Sequence, residues 1–139
     1  MKKITILSLV LSLLVILVAV NKSQATKEAE GKLAGFKWEA TTHDFGKIPQ
    51  GKPVSYEFKF KNSGNAPLVI SNAQGSCGCT VPEWPKEAIA PGKEGKIKAT
   101  FNAAAAGSFT KTVTITANVD KGQEVLTIKG EVTAPAAGK

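Results

Sequence analysis

Arginine does not occur in the 139-residue sequence, so every basic side chain is a lysine or the single histidine. The planar, bidentate forks that read phosphates and guanine edges are therefore missing, and nucleic acid is not expected as a partner. Histidine occurs once, at His43, and methionine once, as Met1. A Ser-His-Asp arrangement would have to use His43, yet its neighbour Asp44 points to the opposite face of a strand. Cysteine occurs twice, at Cys77 and Cys79, so a four-ligand zinc site cannot be assembled without carboxylates from elsewhere. Acidic residues are scattered singly, glycines fall one per turn rather than in a phosphate-cradling loop, and no enzyme is expected. Beyond the N-terminal segment no stretch has a helical apolar period, since Ala103 to Ala106 is short and is closed by Gly107.

The formal charge of +7 is less basic than it looks, because three of the 18 lysines precede Thr26 and leave 15 against 11 acids. Lysines spread over strand faces make a solvated surface that also discourages edge-to-edge aggregation. Met1-Lys2-Lys3 is a basic start, and the run from Ile4 to Val20 is apolar apart from Thr5, Ser8 and Ser12. Ser23 and Ala25 then stand at the −3 and −1 positions of a signal-peptidase site. Residues 1–25 are expected to be a secretion signal cleaved before Thr26, with an uncleaved anchor as the competing reading. No cysteine ends the apolar run, so N-terminal lipidation is not expected. After cleavage the protein is expected in the periplasm or outside the cell, with no membrane attachment of its own.

Residues 26–35 are small and charged and read as a flexible linker, and residues 134–139 as a disordered tail. Between them, residues 36–133 have the length of an immunoglobulin-like domain. Val54, Tyr56, Phe58 and Phe60 alternate with Ser55, Glu57, Lys59 and Lys61, which puts four large side chains on one face of a strand. Ile97, Ala99 and Phe101 alternate with lysine and threonine in the same way. Phe109, Val113, Ile115 and Ala117 oppose a row of threonines, with Lys111 on the apolar parity, and Leu126, Ile128 and Val132 oppose Thr127, Lys129 and Glu131. Weaker strands are expected at Lys37 to Phe45, Pro67 to Ala73 and Thr80-Val81. Asn62-Ser63-Gly64-Asn65 and Asp120-Lys121-Gly122 read as hairpin turns, and Pro91-Gly92 as a type II turn. The fold predicted is all-β, an immunoglobulin-like antiparallel β-sandwich of about seven strands.

His43-Asp44-Phe45-Gly46-Lys47-Ile48-Pro49-Gln50-Gly51, then Tyr56 through Leu68 with Asn62-Ser63-Gly64-Asn65-Ala66-Pro67, then Ser76-Cys77-Gly78-Cys79-Thr80, Ile89-Ala90-Pro91-Gly92 and Ile128-Lys129-Gly130 form an ordered set. This set resembles the bacterial secreted family called domain of unknown function 1573. The resemblance covers nearly all of residues 36–133. It implies an immunoglobulin-like fold similar to the domains of hydin and major sperm protein, which are binding and scaffolding modules, and it implies no particular reaction or cofactor.

The unusual chemistry lies at Cys77-Gly78-Cys79. On a regular strand, residues i and i+2 share a face with Cα atoms ~6.5–7 Å apart, the outer limit for a disulfide, so a bond requires a bend at Gly78. Packed thiols, an internal Cys77–Cys79 disulfide and metal or redox work all stand open. Copper(I) is the sharpest metal reading, because soft thiolates select it; nothing else in the sequence reinforces it, and no metal site is assigned. A thioredoxin-like role would need Cys-x-x-Cys at a helix start. Trp84, in Val81-Pro82-Glu83-Trp84-Pro85, is a large aromatic beside the cysteines that can anchor a partner or plug the core. The function expected is therefore a non-enzymatic binding or scaffold module of the cell envelope that holds a protein or glycan by its loop ends or a sheet edge, with Cys77, Gly78, Cys79 and Trp84 as the candidate binding residues. The alternative is a thiol-redox or copper(I)-handling protein centred on the same loop.

Overall fold

Each strongly alternating run forms a strand in the computed structural model, which describes residues 33–136. The expected secretion signal, most of the expected linker and the last three residues of the expected tail lie outside the described residues. Among the described residues there are eight strands: β1 (Phe36–Trp38), β2 (Thr42–Pro49), β3 (Val54–Asn62), β4 (Ile70–Gly75), β5 (Thr80–Glu83), β6 (Glu94–Phe101), β7 (Gly107–Ala117) and β8 (Gln123–Thr133). They make two four-stranded sheets, ordered β1-β3-β6-β5 and β2-β8-β7-β4.

The eighth strand comes from the stretch Lys37 to Phe45, expected to be one strand. At Glu39 the backbone still donates to Lys59 of β3, whereas Thr41 already accepts from Thr127 of β8. The chain thus changes sheets within two residues. Having arrived from across the sandwich rather than through a hairpin, β2 runs parallel to β8, so the fully antiparallel arrangement expected holds for every strand pair except this one.

Inward positions follow the predicted parity. Phe58, Phe60, Ile97, Phe101, Val113, Ile115, Leu126 and Ile128 are buried, whereas Val54 and Tyr56, near one end, are half-buried against the same core. Lys111 keeps the inward parity of β7 and is half-buried. Asp120-Lys121-Gly122 closes the β7–β8 hairpin as expected, and Gly92 has φ +79° with Lys93 N–H donating to Ala90 C=O, the type II turn read from Pro91-Gly92.

Asn62-Ser63-Gly64-Asn65 is not a hairpin turn, because β3 and β4 belong to different sheets. Asn62 continues the inward parity of Phe58 and Phe60 and is only 1% exposed. Its Nδ2 donates to Ala66 C=O and Ile89 C=O at 2.8 Å each, and its Oδ1 accepts from Gly64 N–H at 3.0 Å and Gly35 N–H at 3.3 Å. All four bonds a carboxamide can make are satisfied inside the protein. Gly64 packs directly on the backbone of Leu33 and Ala34, and Ala34, 4% exposed, bridges to Val119. Leu33 to Gly35, assigned to the linker by composition, therefore pack as part of the folded unit.

Candidate functional site

Strands β4 and β5 are the outermost strands of opposite sheets on one flank, and Ser76 to Cys79 carry the chain between them. The loop is held by backbone groups. Ser76 N–H donates to Thr112 C=O at 2.8 Å, and its hydroxyl accepts from Thr112 N–H at 3.1 Å. Thr80 N–H donates to Cys77 C=O at 3.2 Å, closing a four-residue turn, and Cys79 C=O accepts from Asn102 N–H at 3.0 Å. Gly75 lies so close to the Thr80 carbonyl that no side chain fits there.

Because Cys77-Gly78-Cys79 is a turn and not a strand, the two Cα atoms are 5.2 Å apart, well inside the range a disulfide requires, and the two sulfurs are bonded. In this state they offer no thiolate to copper(I). Both cysteines are half-buried, Cys79 against the core, and the exposed Gly78 has open space where a side chain would project. The Thr80 hydroxyl, in a residue only 3% exposed, is 3.8 Å from Cys77 Sγ and 4.0 Å from Cys79 Sγ.

Trp84 follows β5 immediately, so it shares this flank, but it is half-buried and packs on the core. The Nζ of Lys86 sits 3.1 Å from its ring centroid, a cation–π contact that covers one face of the indole. Its indole N–H is buried with no acceptor among the described residues, as is that of Trp38.

His43 and Asp44 diverge as the strand parity requires. The imidazole stacks on Tyr56, with ring centroids 3.6 Å apart, while Asp44 Oδ1 accepts from Gly46 N–H at 2.8 Å and Oδ2 lies 3.8 Å from Lys129 Nζ. Gly46, at φ +64°, is the extra residue of a β-bulge: Asp44 faces Lys129 and Lys47 faces Glu131, leaving Phe45 and Gly46 opposite Gly130 alone. A side chain at Gly130 would meet the Gly46 carbonyl at 2.8 Å and the Phe109 ring at 3.0 Å. Around this bulge lies an open depression of about 340 Å³ whose charged rim is Asp44, Lys47, Lys129 and Glu131. Composition alone did not reveal it, although the slip from inward Phe45 to inward Ile48 across Gly46 is visible in the sequence. Among the described residues no three His, Cys, Asp or Glu side chains gather as a metal site.

Two facing sheets, a parallel entry strand beside the last strand and a loop that switches sheets define an immunoglobulin-like β-sandwich. The chain belongs to the family described as protein of unknown function (DUF1573), which matches residues 36–132. No curated protein sequence matches it. Among solved structures, a protein of unknown function from Porphyromonas gingivalis W83 is similar with a TM-score of 0.65 at 16% identity, over 80% of this chain and 51% of that one. The chain thus spans about half the length of that relative. The ASH/PapD-like domain 7 of human CEP192 gives a TM-score of 0.58 at 10% identity, over 82% of this chain and 96% of that domain. The VesB protease of Vibrio cholerae also gives 0.58, at 14% identity, over 70% of this chain and 32% of that protein. At these identities the likeness is one of fold.

Proposed function

We propose that this protein is an exported, non-enzymatic binding or scaffold module of the cell envelope, and that its partner is held along the β4–β5 flank. The observation that carries this reading is the pairing at that flank. Among the described residues β4 pairs only with β7 and β5 only with β6, so each has one backbone edge without a strand neighbour there. An unpaired edge is a template for a strand from another protein, with exposed side chains supplying the selectivity. Val81 of β5 is 56% exposed and Val69, just before β4, is 43% exposed, and the Cys77-Gly78-Cys79 loop joins the two strands. The basic start, the apolar run and Ser23-Gln24-Ala25 support export, and a Cys77–Cys79 disulfide is of the kind kept outside the cytoplasm. The PapD-like fold relative supports a binding role by analogy only.

The test compares wild type with Val81→Lys, a charge placed on the edge without touching the core. Each is crosslinked in the producing cell, purified, and its crosslinked partners are identified. Loss of a specific protein from the Val81→Lys sample, with unchanged melting, supports the reading. A partner captured equally by both moves the site off this flank, and a glycan retained by both replaces strand addition with saccharide binding elsewhere.

A further inference from the structure

We propose that Cys77–Cys79 is a reversible two-electron thiol–disulfide site that exchanges with a dithiol, and that the Thr80 hydroxyl receives the leaving thiolate. This goes beyond the binding role and does not depend on it. Three observations meet in the loop.

The disulfide is dispensable as a staple. It spans a single residue, so it removes little entropy from the unfolded chain, and the loop is already fixed by the bonds of Ser76, Cys77 and Cys79 to Thr112, Thr80 and Asn102. The bond is also approachable. Gly78 is exposed with open space beside it, and Cys79 rather than Cys77 packs on the core, so an incoming thiolate meets Cys77 Sγ and Cys79 Sγ leaves.

The third observation is Thr80. A buried hydroxyl ordinarily bonds to an oxygen. Among the described residues, the side chain of Thr80 has only the two sulfurs as partners, at 3.8 and 4.0 Å. A disulfide sulfur accepts weakly and a thiolate strongly, so this donor is better satisfied once the bond has opened. Lys111 adds charge of the right sign. It has inward parity on β7, is half-buried and is next in the chain to Thr112, the residue that anchors Ser76 at the start of the loop, and it has no acid partner among the described residues. A neighbouring ammonium favours a thiolate.

The exchange balances. One thiolate of the dithiol attacks Cys77 Sγ, the Cys77–Cys79 bond breaks, and its electron pair leaves on Cys79 Sγ, to which Thr80 donates its hydrogen bond. The second thiol of the reagent, deprotonated, attacks its own sulfur in the mixed disulfide and expels Cys77 as a thiolate. The protein gains two electrons, the dithiol leaves as a cyclic disulfide, and the two protons it released protonate the cysteines or pass to water.

The test treats the native protein with dithiothreitol and counts free Cys77 and Cys79 by alkylation and mass spectrometry, with circular dichroism followed throughout. The expected result is reduction of the folded protein, reoxidation by oxidised dithiothreitol, reduction about tenfold slower in Thr80→Val and near the wild-type rate in Thr80→Ser. Lys111→Gln, which leaves Thr80 in place, is expected to slow reduction several-fold. Reduction only after unfolding would overturn the proposal, and wild-type rates in folded Thr80→Val would overturn the role of Thr80. Should Thr80→Val not fold, a native wild-type disulfide that resists dithiothreitol would by itself overturn the proposal, and an unchanged rate in folded Lys111→Gln would overturn the role of Lys111.

Discussion

The imidazole of His43 lies flat on the ring of Tyr56, with centroids 3.6 Å apart and planes 8° from parallel. His43 is on β2 and Tyr56 on β3, so this stack joins the two sheets. Phe45 meets the imidazole edge-on at 4.6 Å and Phe58 meets Tyr56 at 4.9 Å, extending the contact into the core. The histidine of the family motif is therefore accounted for by packing. Replacing it with alanine is expected to cost roughly 1 kcal/mol, the ordinary worth of an aromatic pair, whereas His43→Phe should stay near wild type. Urea melts of the two variants check this, and an alanine variant as stable as wild type would remove the stack from the account of the fold.

Asn62 carries a larger effect. Asn62→Leu preserves the bulk of the side chain but strands the Ala66 carbonyl and the N–H groups of Gly35 and Gly64, whereas Ile89 C=O keeps the bond it accepts from Leu68 N–H. With each buried orphan costing ~1–3 kcal/mol before relaxation, a loss of at least ~3 kcal/mol is expected. A denaturation midpoint within error of wild type would show that these bonds are not what ties the Ala66 and Ile89 segments to β3.

How far the sequence could be read follows from these same residues. Period two is a strong signal, so β3, β6, β7 and β8 were legible from their side chains, as was the Pro91-Gly92 turn. Whether Lys37 to Phe45 stays in one sheet depends on pairing partners far along the chain, and alternation is blind to that. Asn62 was legible only as a turn former, because its type suits turns and its burial depends on acceptors contributed by Ala66 and Ile89. At Cys77-Gly78-Cys79 the spacing leaves strand and turn equally open, and the Thr112 and Asn102 bonds decide the local conformation.

Gly130 tests the bulge. A methyl group there would lie 2.8 Å from the Gly46 carbonyl, which is backbone and held by the Asp44 turn, and 3.0 Å from the Phe109 ring. Gly130→Ala should cost ~1–3 kcal/mol through overpacking. Gly46→Ala, with open space but φ +64°, should cost about 1 kcal/mol through the left-handed backbone. Melting temperatures in the reverse order would mean that the bulge yields more easily than its hydrogen bonds suggest.

Glu57 links stability to pH. The hydrogen bond from Lys96 Nζ at 2.7 Å is the main cause holding its carboxyl below the usual value, with the charges of Lys96, Lys98 and Lys59 adding to it. Since the folded value is depressed, the contribution is complete above the unfolded carboxylate pKa and disappears as pH falls through the folded one. The pair is exposed, so the effect is small and screened by salt. Wild type should melt slightly above Glu57→Gln at neutral pH and low salt, and the two curves should converge in acid and in 1 M salt. A gap that widens in acid would reverse the sign of the argument.

The double variant Cys77→Ser, Cys79→Ser separates the frame of the loop from its chemistry. The turn is closed by Thr80 N–H on Cys77 C=O, and its ends are pinned by Ser76 to Thr112 and Asn102 to Cys79, all through groups that serine leaves in place. A disulfide over one residue closes so short a loop that its effect on the unfolded chain should fall below the ~3 kcal/mol typical of a 15-residue loop. The serine hydroxyls in half-buried positions add a cost of roughly 1–3 kcal/mol for any left unpaired, and Thr80 is there to bond them. A moderate loss of stability with the sandwich intact is therefore expected, and partner binding along β4 and β5 should survive, because the edges of those strands do not depend on the sulfurs. Denaturant melts and partner crosslinking on the same preparation measure both quantities. A variant that folds but no longer captures the partner would make the cysteines themselves the binding site, and the flank reading would then give way to one in which the loop chemistry selects the partner.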